Sequence, residues 1–584
     1  MVRELIRVAL GQQRADLVIK GGTLVNVYSG ELLKDYWVAI KGERIAYVGP
    51  DGNHTIDDNT EVIELKEQVI APGFIDGHMH LDCTLGTVEE FIRYAIPGGT
   101  TSAVVETTDI ANILGYEGVI SFLDIIKGHP MKFFALAPSL MPPLPTIEAR
   151  PLISQEELEK IIACPDIVGL GETIWPFVTD EDPYVMDMLA TTHKYNKELE
   201  GHSAGAKGNK LVAYVASGIS SCHEPIKVNE LLERLRLGIH VMIREGSIRR
   251  DLEALSQIKD LDIDYRRLIL VSDGVDANDL LNLGYMEYIV QKAIDLGINP
   301  IKAIQMATLN VAEHFQLDKK IGGIAPGKEA DIIILPDLRT IKPQLVISRG
   351  KLAAREGKFL LSPKKVFYPP AALNSIRLPR HLEAQDFSIK SPVTTGEVKV
   401  RVIEVVSPVI TQEAQELLPA INGTLPLIVE RDILKLSVIE RLDNTGRIFT
   451  GFIKGFGLKS GAFASSYSWE SKSPLVVVGA DEADMAWAIN RIIELHGGLV
   501  ICQNQKSLVE LPLPISGYLS NLPLKEIVSK LEAVKETIRS MGSALANPFL
   551  TLQTLPGTIF PYLRINEWGL IDIKSKTLVN LIVS

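Results

Sequence analysis

Cysteine is scarce: the 584 residues hold four, Cys83, Cys164, Cys222 and Cys502, far apart and with no C-x-x-C pair. That usage excludes both a disulfide framework and a structural zinc knuckle, and a reducing cytoplasm is the expected compartment. Long apolar runs are missing too. No stretch approaches the roughly 20 apolar residues that span a bilayer, and the start, Met1-Val-Arg-Glu-Leu-Ile-Arg, threads charges through its apolar residues where a signal peptide would have an unbroken core. There is no excess of positive charge. Lys and Arg number 60 against 72 Asp and Glu, a formal charge of -12, which argues against a nucleic-acid surface. Internal repeats and low-complexity tracts are also absent. What remains is a soluble chain with a small-molecule partner, long enough for about three or four structural units, or fewer if one is a barrel.

From Ala15 to Ile70 the chain runs in short β-rich pieces broken by glycines: Asp16-Leu-Val-Ile-Lys, Gly22-Thr-Leu-Val-Asn, Tyr36-Trp-Val-Ala-Ile, Arg44-Ile-Ala-Tyr-Val and Val62-Ile-Glu-Leu. The same texture returns after Gly322 and in Leu345-Val-Ile-Ser-Arg-Gly-Lys, so the two pieces are expected to join in one sheet. Between them apolar runs alternate with helix-like segments, the pattern of a parallel α/β fold. The runs are Phe74–His80, Thr100–Glu106, Lys132–Ala137, Ile167–Glu172, Leu199–His202, Gly218–His223, His240–Arg244 and Leu268–Asp273. Eight such units predict a (β/α)8 barrel, with its chemistry at the C-terminal ends of the strands. Helices are expected over Asp279–Leu296 and Pro300–Phe315, and a proline-rich connector over Ser362–Pro379. The expected organisation is α/β: part of a small β unit at 1–73, the barrel at 74–321, the rest of the β unit with the connector at 322–380, and a C-terminal α/β unit at 381–584. In this last unit, strands are expected at Lys399–Val406 and Leu475–Gly479 and an amphipathic helix at Asp481–Leu495.

In Pro72-Gly-Phe-Ile-Asp-Gly-His-Met-His80, two histidines spaced i and i+2 at a strand end point the same way and can offer two imidazole nitrogens to one cation. Alone the pair is weak, since most such histidines are core or surface residues. The following strand ends add Glu172, His202, His223 and Asp273, and this joint pattern favours a metal site. Glycines at 169, 171, 201, 205 and 218 accompany it, where backbone must approach closely or turn tightly. Two divalent cations would share these ligands, with Glu172 bridging and Asp273 terminal, and a bridging water would ionise near neutral pH. Asp273 is placed to take that proton and return it to a leaving nitrogen. The reaction class is metal-assisted hydrolysis, and imidazole with carboxylate suits Mn2+, Fe2+ or Zn2+.

Beyond these ligands, Asp109-Ile-Ala-Asn-Ile-Leu-Gly115, Gly201-His-Ser-Ala-Gly205, Gly218-Ile-Ser-Ser-Cys-His-Glu224 and Met242-Ile-Arg-Glu-Gly-Ser247 carry a more specific likeness, as do Ala303-Ile-Gln-Met-Ala-Thr-Leu-Asn310 and Val478-Gly-Ala-Asp-Glu-Ala-Asp-Met-Ala. Over nearly its whole length the chain resembles the adenine deaminases of the amidohydrolase superfamily. The resemblance implies two Mn2+ or Fe2+ ions, attack of a bridging hydroxide on C6 of adenine, and loss of ammonia to give hypoxanthine. It makes Glu224 a catalytic candidate and the Arg244-Glu245 pair a substrate-binding candidate; the structural alternatives are support for His223 and an ion pair at the rim. Family members are often homo-oligomers, and the C-terminal unit either closes over the barrel mouth, near Ser465 and Ser466, or packs beside it. The chain departs from the family pattern at Asp82, at Thr108 with Asp109, at Gly274, and at Trp469-Glu-Ser-Lys472. Those positions leave open an amidohydrolase acting on a different cyclic amidine or amide, or a metal-binding relative without the activity. The zinc deaminases that flip nucleobases do not fit, because His-x-Glu followed by Pro-Cys-x-x-Cys is absent.

Overall fold

The eight apolar runs become parallel strands in the computed structural model, which describes residues 1–139, 153–469, 473–558 and 560–583. Five of them, Phe74–Met79, Thr100–Val105, Lys132–Ala137, Ile167–Ile174 and Glu198–His202, pair in sequence order to form one arc. Ser221–Cys222, His240–Arg244 and Leu268–Val271 form a second arc. Two backbone hydrogen bonds join the first strand to the end of the last: His80 N–H to the Asp273 carbonyl at 2.9 Å, and Asp273 N–H to the His78 carbonyl at 3.1 Å. At the other seam Ser220 N–H donates to the Leu199 carbonyl at 2.9 Å. The barrel closes because each strand is apolar on both faces, one toward the barrel interior and one toward the helices outside. The sixth strand is much shorter than the expected Gly218–His223. Gly218 has φ 99°, a turn conformation that ends the preceding helix Gly208–Ala216 and delays the strand.

Each of the two helices expected after the barrel strands is divided. Asp279–Leu296 becomes Ala277–Asn282 and Met286–Asp295, separated at Gly284 with φ 102°. Pro300–Phe315 becomes Pro300–Met306 and Leu309–His314, separated at Thr308, whose φ -144° and ψ -87° cannot continue a helix. Apolar spacing is preserved across both breaks, which is why periodicity alone reads them as continuous.

The flanking β pieces do join, but in two sheets where one was expected. Val69–Pro72, just before the barrel, pairs antiparallel with Ile332–Leu335, just after it, with Ile70 opposite Ile334. These strands are central to a seven-stranded sheet, while Leu17–Lys20, Trp37–Lys41, Arg44–Gly49 and Glu61–Glu64 form a separate four-stranded one. Leu17, Ile19, Ile40, Ile70, Ile332 and Ile334 share the apolar core of the two sheets. A buried ion pair fastens this layer to the barrel: Lys132 Nζ, at the start of the third strand, lies 2.7 Å from Asp331 Oδ1 and 3.4 Å from Glu329 Oε2. Lys132→Ala is expected to destabilise the protein by about 3–5 kcal/mol, because the Asp331 carboxylate stays buried, and that of Glu329 mostly so, without their cation. Denaturant unfolding measures it, and a loss below about 1 kcal/mol, the range of exposed pairs, would contradict the attachment.

The C-terminal region builds a ten-stranded sheet. The expected Lys399–Val406 is the middle of a longer strand, Thr395–Ser407, in a hairpin with Ile410–Ile421. Leu475–Gly479 is a strand as expected, and the helix Glu482–Glu494 starts at Asp481, whose carboxylate caps Asp484 N–H at 2.9 Å. Among the described residues no helix is long and apolar enough to cross a membrane.

Candidate metal centre

Strand period 2 brings alternate residues of each barrel strand to the interior, so the last inward residue stands at the C-terminal mouth. Glu172 comes from the fourth strand and lies at the middle of the cluster. Its Oε1 is 3.1 Å from His78 Nε2, 3.4 Å from His80 Nε2 and 3.1 Å from His223 Nε2, and its Oε2 is 3.3 Å from His202 Nδ1. Asp273 Oδ1 lies 3.4 Å from His78 Nε2 and 3.7 Å from His80 Nε2. All six residues expected from the strand ends therefore meet at one place. Glu224 joins them, with Oε1 2.5 Å from His223 Nε2 and 3.4 Å from His202 Nδ1. One ligand atom from each of His78, Glu172, His223 and Asp273 lies within 4.8 Å of the others, as do those of His202, His223 and Glu224. Imidazole and carboxylate converging in this way form a donor set that fits divalent cations.

Close backbone contact makes the packing possible at two glycines. A Cβ on Gly201 would stand 2.3 Å from the Ser221 carbonyl, and one on Gly171 would stand 2.3 Å from Glu106 Oε2. The first would push the fifth strand off the sixth, and the second would displace the Glu106 carboxylate that accepts Glu172 N–H. Asp273 has φ 64°, a left-handed conformation that turns its carboxylate back over the mouth.

Charge on the metal-free rings follows from the carboxylates. Burial opposes a charged imidazole, but hydrogen bonds to Asp273 and Glu172 outweigh it and push His78 up to about 10. His202 is pushed up to about 9, burial being overcome by the charge of Glu224 and a hydrogen bond to Glu172. His80 is also raised well above its ordinary value against burial, by Asp109 and Glu172. Asp273 is held below the usual carboxylate range: burial raises it, and His78, His223 and Arg244 more than reverse that. These histidines are thus protonated at neutral pH, and their charge supports the metal-free fold below about pH 6.5, a support lost as pH climbs through their raised values. A metal must displace those protons. Apparent affinity is expected to rise with pH toward about 9–10, by up to about tenfold per pH unit for each proton released. Calorimetric titration of Mn2+ in buffers of different ionisation enthalpy counts the protons, and a count of zero at pH 7 would refute the assignment.

Two family models match the chain: that described as "Amidohydrolase family" over residues 69–353 and that described as "Adenine deaminase C-terminal domain" over 408–577. Adenine deaminase of Moorella thermoacetica is 39% identical over 588 residues, covering 100% of this chain and 98% of that protein. Adenine deaminase of Clostridium botulinum is 36% identical, covering 100% and 97%, and adenine deaminase 3 of Rhizobium meliloti is 36% identical, covering 97% and 96%. The chain belongs to the adenine deaminase family.

In this member of the family, several residues named from the sequence have contacts that the sequence does not display. Arg244 and Glu245 form no pair with each other. Alternation along the strand sends them opposite ways: Arg244 Nη1 reaches Asp273 Oδ2 at 3.2 Å and Nη2 reaches Asp251 Oδ2 at 3.0 Å, while buried Glu245 faces Lys292 at 2.8 Å and Arg250 at 3.4 Å. Glu245 is not brought to the histidines. Ser465 and Ser466 turn to backbone carbonyls of Tyr467 and Gly517. Tyr467, two residues past the strand Ala462–Ser465 of the C-terminal sheet, reaches the barrel mouth, with its hydroxyl on Asp82 Oδ2 and Trp469 Nε1–H donating to that hydroxyl at 3.0 Å. Asp82 stands with His80 and Asp109 in a further acidic group, and burial and the charge of Asp109 push it up to about 7. Glu470, Ser471 and Lys472 lie outside the described residues.

Three other acids and bases at the site carry no metal-type spacing. Glu106 ends the second strand, accepts Glu172 N–H at 3.2 Å and lies 3.8 Å from His78 Nδ1. An acid at a strand end, like Glu172, is the signal that could have found it. Asp76 is buried between the first and last strands, accepting from Ser272 Oγ at 2.5 Å and Tyr285 OH at 2.6 Å, and so sets the approach of the residue before Asp273. Arg234 sits behind His202 and His223 on a helix, where no motif marks it.

Proposed function

We propose that this chain hydrolyses adenine to hypoxanthine and ammonia with the help of two bound divalent cations. The observation that supports this most is Glu172, one carboxylate in contact with four imidazoles and beside Asp273, in a chain 39% identical along its length to an adenine deaminase. His78, His80 and Asp273 would hold one ion and His202 and His223 the other, with the Glu172 carboxylate within reach of either set. Mn2+ or Fe2+ is favoured and Zn2+ is compatible with the same donors. Bound there, the cations supply the positive charge that lets water ionise near neutral pH.

The chain's own groups move the protons. Asp273, its Oδ2 fixed by Arg244, takes a proton from the attacking water and delivers it to the exocyclic nitrogen. The C6–O bond forms, the C6–N bond breaks, and the nitrogen leaves as ammonia. Glu224, held by Ser203 N–H at 2.7 Å, is the second proton-handling carboxylate. Arg244 acts through Asp273, with Asp251 holding its other side. The test is direct: Mn2+-loaded protein is incubated with adenine while ultraviolet absorbance and ammonia are followed. Catalytic conversion is expected, and no turnover by folded, metal-replete protein would overturn the proposal.

A further inference from the structure

A buried guanidinium with no carboxylate in contact is costly, because desolvation of the charge is left uncompensated by an ion pair. Arg234 is such a group among the described residues. It lies on the helix Val228–Arg236, is 3% exposed, and donates only to neutral partners. Nε–H reaches Ser203 Oγ at 3.0 Å and Cys222 Sγ at 3.1 Å. Nη2–H reaches the carbonyls of Ser203 at 2.9 Å and Ala206 at 3.2 Å, and Nη1–H that of Glu230 at 3.3 Å.

Those partners are neighbours of metal-type residues. Ser203 follows His202 at the end of the fifth strand, and Cys222 precedes His223 at the end of the sixth. Ser203 Oγ and Cys222 Sγ are 2.7 Å apart, and both residues converge on Glu224 Oε2, through Ser203 N–H at 2.7 Å and Cys222 S–H at 3.2 Å. One guanidinium therefore stitches two strand ends that share no long ladder, the sixth strand being only two residues long. The His202 and His223 rings are held 5.5 Å apart, centroid to centroid, and Glu224 is aimed at both. His78, His80 and Asp273 are bound together by a different device, the backbone bonds between the first and last strands.

We infer that Arg234 is a positioning residue for one half of the metal centre: through Ser203 and Cys222 it sets the geometry of His202, His223 and Glu224, and so the affinity of the ion that the two histidines would hold. This rests on the two-ion proposal above. A residue that only braced the fold would weaken both ions together or neither, whereas Arg234 acts on one.

Mn2+ binding to full-length wild type, Arg234→Met, Arg234→Lys and Ser203→Ala, followed by electron paramagnetic resonance with chelator competition, tests this alongside crystal structures of the metal-free proteins. Wild type is expected to bind two ions. In Arg234→Met one binding constant falls about 10–100-fold, the range for loss of outer-shell support, while the other is unchanged; Arg234→Lys recovers part of the loss. Ser203→Ala, which keeps the guanidinium, moves the same constant in the same direction and decides the matter if Arg234→Met does not fold. Two unchanged constants, or two that fall equally, overturn the inference. Should wild type bind a single ion, the two-ion proposal fails, and the structures then judge Arg234 separately. Retention of the His202–His223 spacing and of the Ser203–Glu224 bond in the variant overturns its positioning role, and their loss upholds it.

Discussion

Glu172→Ala is expected to abolish binding of the metal pair and to lower adenine turnover by on the order of 10^3–10^5-fold, the equivalent of several kcal/mol of transition-state stabilisation. Among the described residues no other touches all four histidines, so no described neighbour can take over the shared position. In the metal-free protein Glu172 is ionised, held well below the usual carboxylate range against burial by His223, His202 and His78. Removing it takes away an anion that helps to raise all four histidines, and with it the one carboxylate donor that all four face. Glu172→Gln separates shape from charge: it keeps the volume and one acceptor oxygen but loses the charge, so it should also lose metal. Elemental analysis after dialysis with steady-state kinetics gives the answer, and a variant that retains two ions per chain would show that Glu172 is not the shared ligand.

The barrel was legible because each strand is an apolar run of the right length, bounded by turn residues, and five of the eight carry a ligand-type residue at or next to their end. That is a local property, written at intervals along the chain. The same is true of His78 and His80, which share a strand and a face. What the sequence did not carry was the consequence of bringing distant segments together. Tyr467 meets Asp82 across 385 positions of chain, and nothing near either residue anticipates the other. Arg234 is one of several charged residues on an amphipathic helix, and only the fold shows that it points inward. Arg244 and Glu245 part for a simpler reason. Adjacent residues of a strand face opposite sides, so nearness in sequence guarantees that the two side chains part. Helix breaks at Gly284 and Thr308 were missed because the apolar period continues across them, and one backbone conformation decides the break.

Asp273→Asn is expected to lower kcat by about 10^2–10^4-fold, the share general acid–base catalysis usually contributes, while the protein remains folded. Asparagine is nearly isosteric and is among the residues that best tolerate a positive φ, so the 64° conformation and the backbone bonds to His78 and His80 survive. Arg244 keeps Asp251 at 3.0 Å after losing the charge on Asp273. What disappears is a base. The aspartate is ionised at neutral pH because His78, His223 and Arg244 outweigh the effect of burial, and an amide in the same place can neither accept the proton of water nor deliver it to nitrogen. Because Asp273 is also proposed as a ligand to one ion, the measurement is made at saturating Mn2+, with metal content determined on the same sample. The two roles then separate: weaker metal binding that excess Mn2+ repairs, together with a kcat that excess Mn2+ does not restore, is the expected pattern. A variant that recovers more than about a tenth of wild-type kcat when fully loaded would show that Asp273 serves only to hold metal, and the proton would have to travel by Glu224.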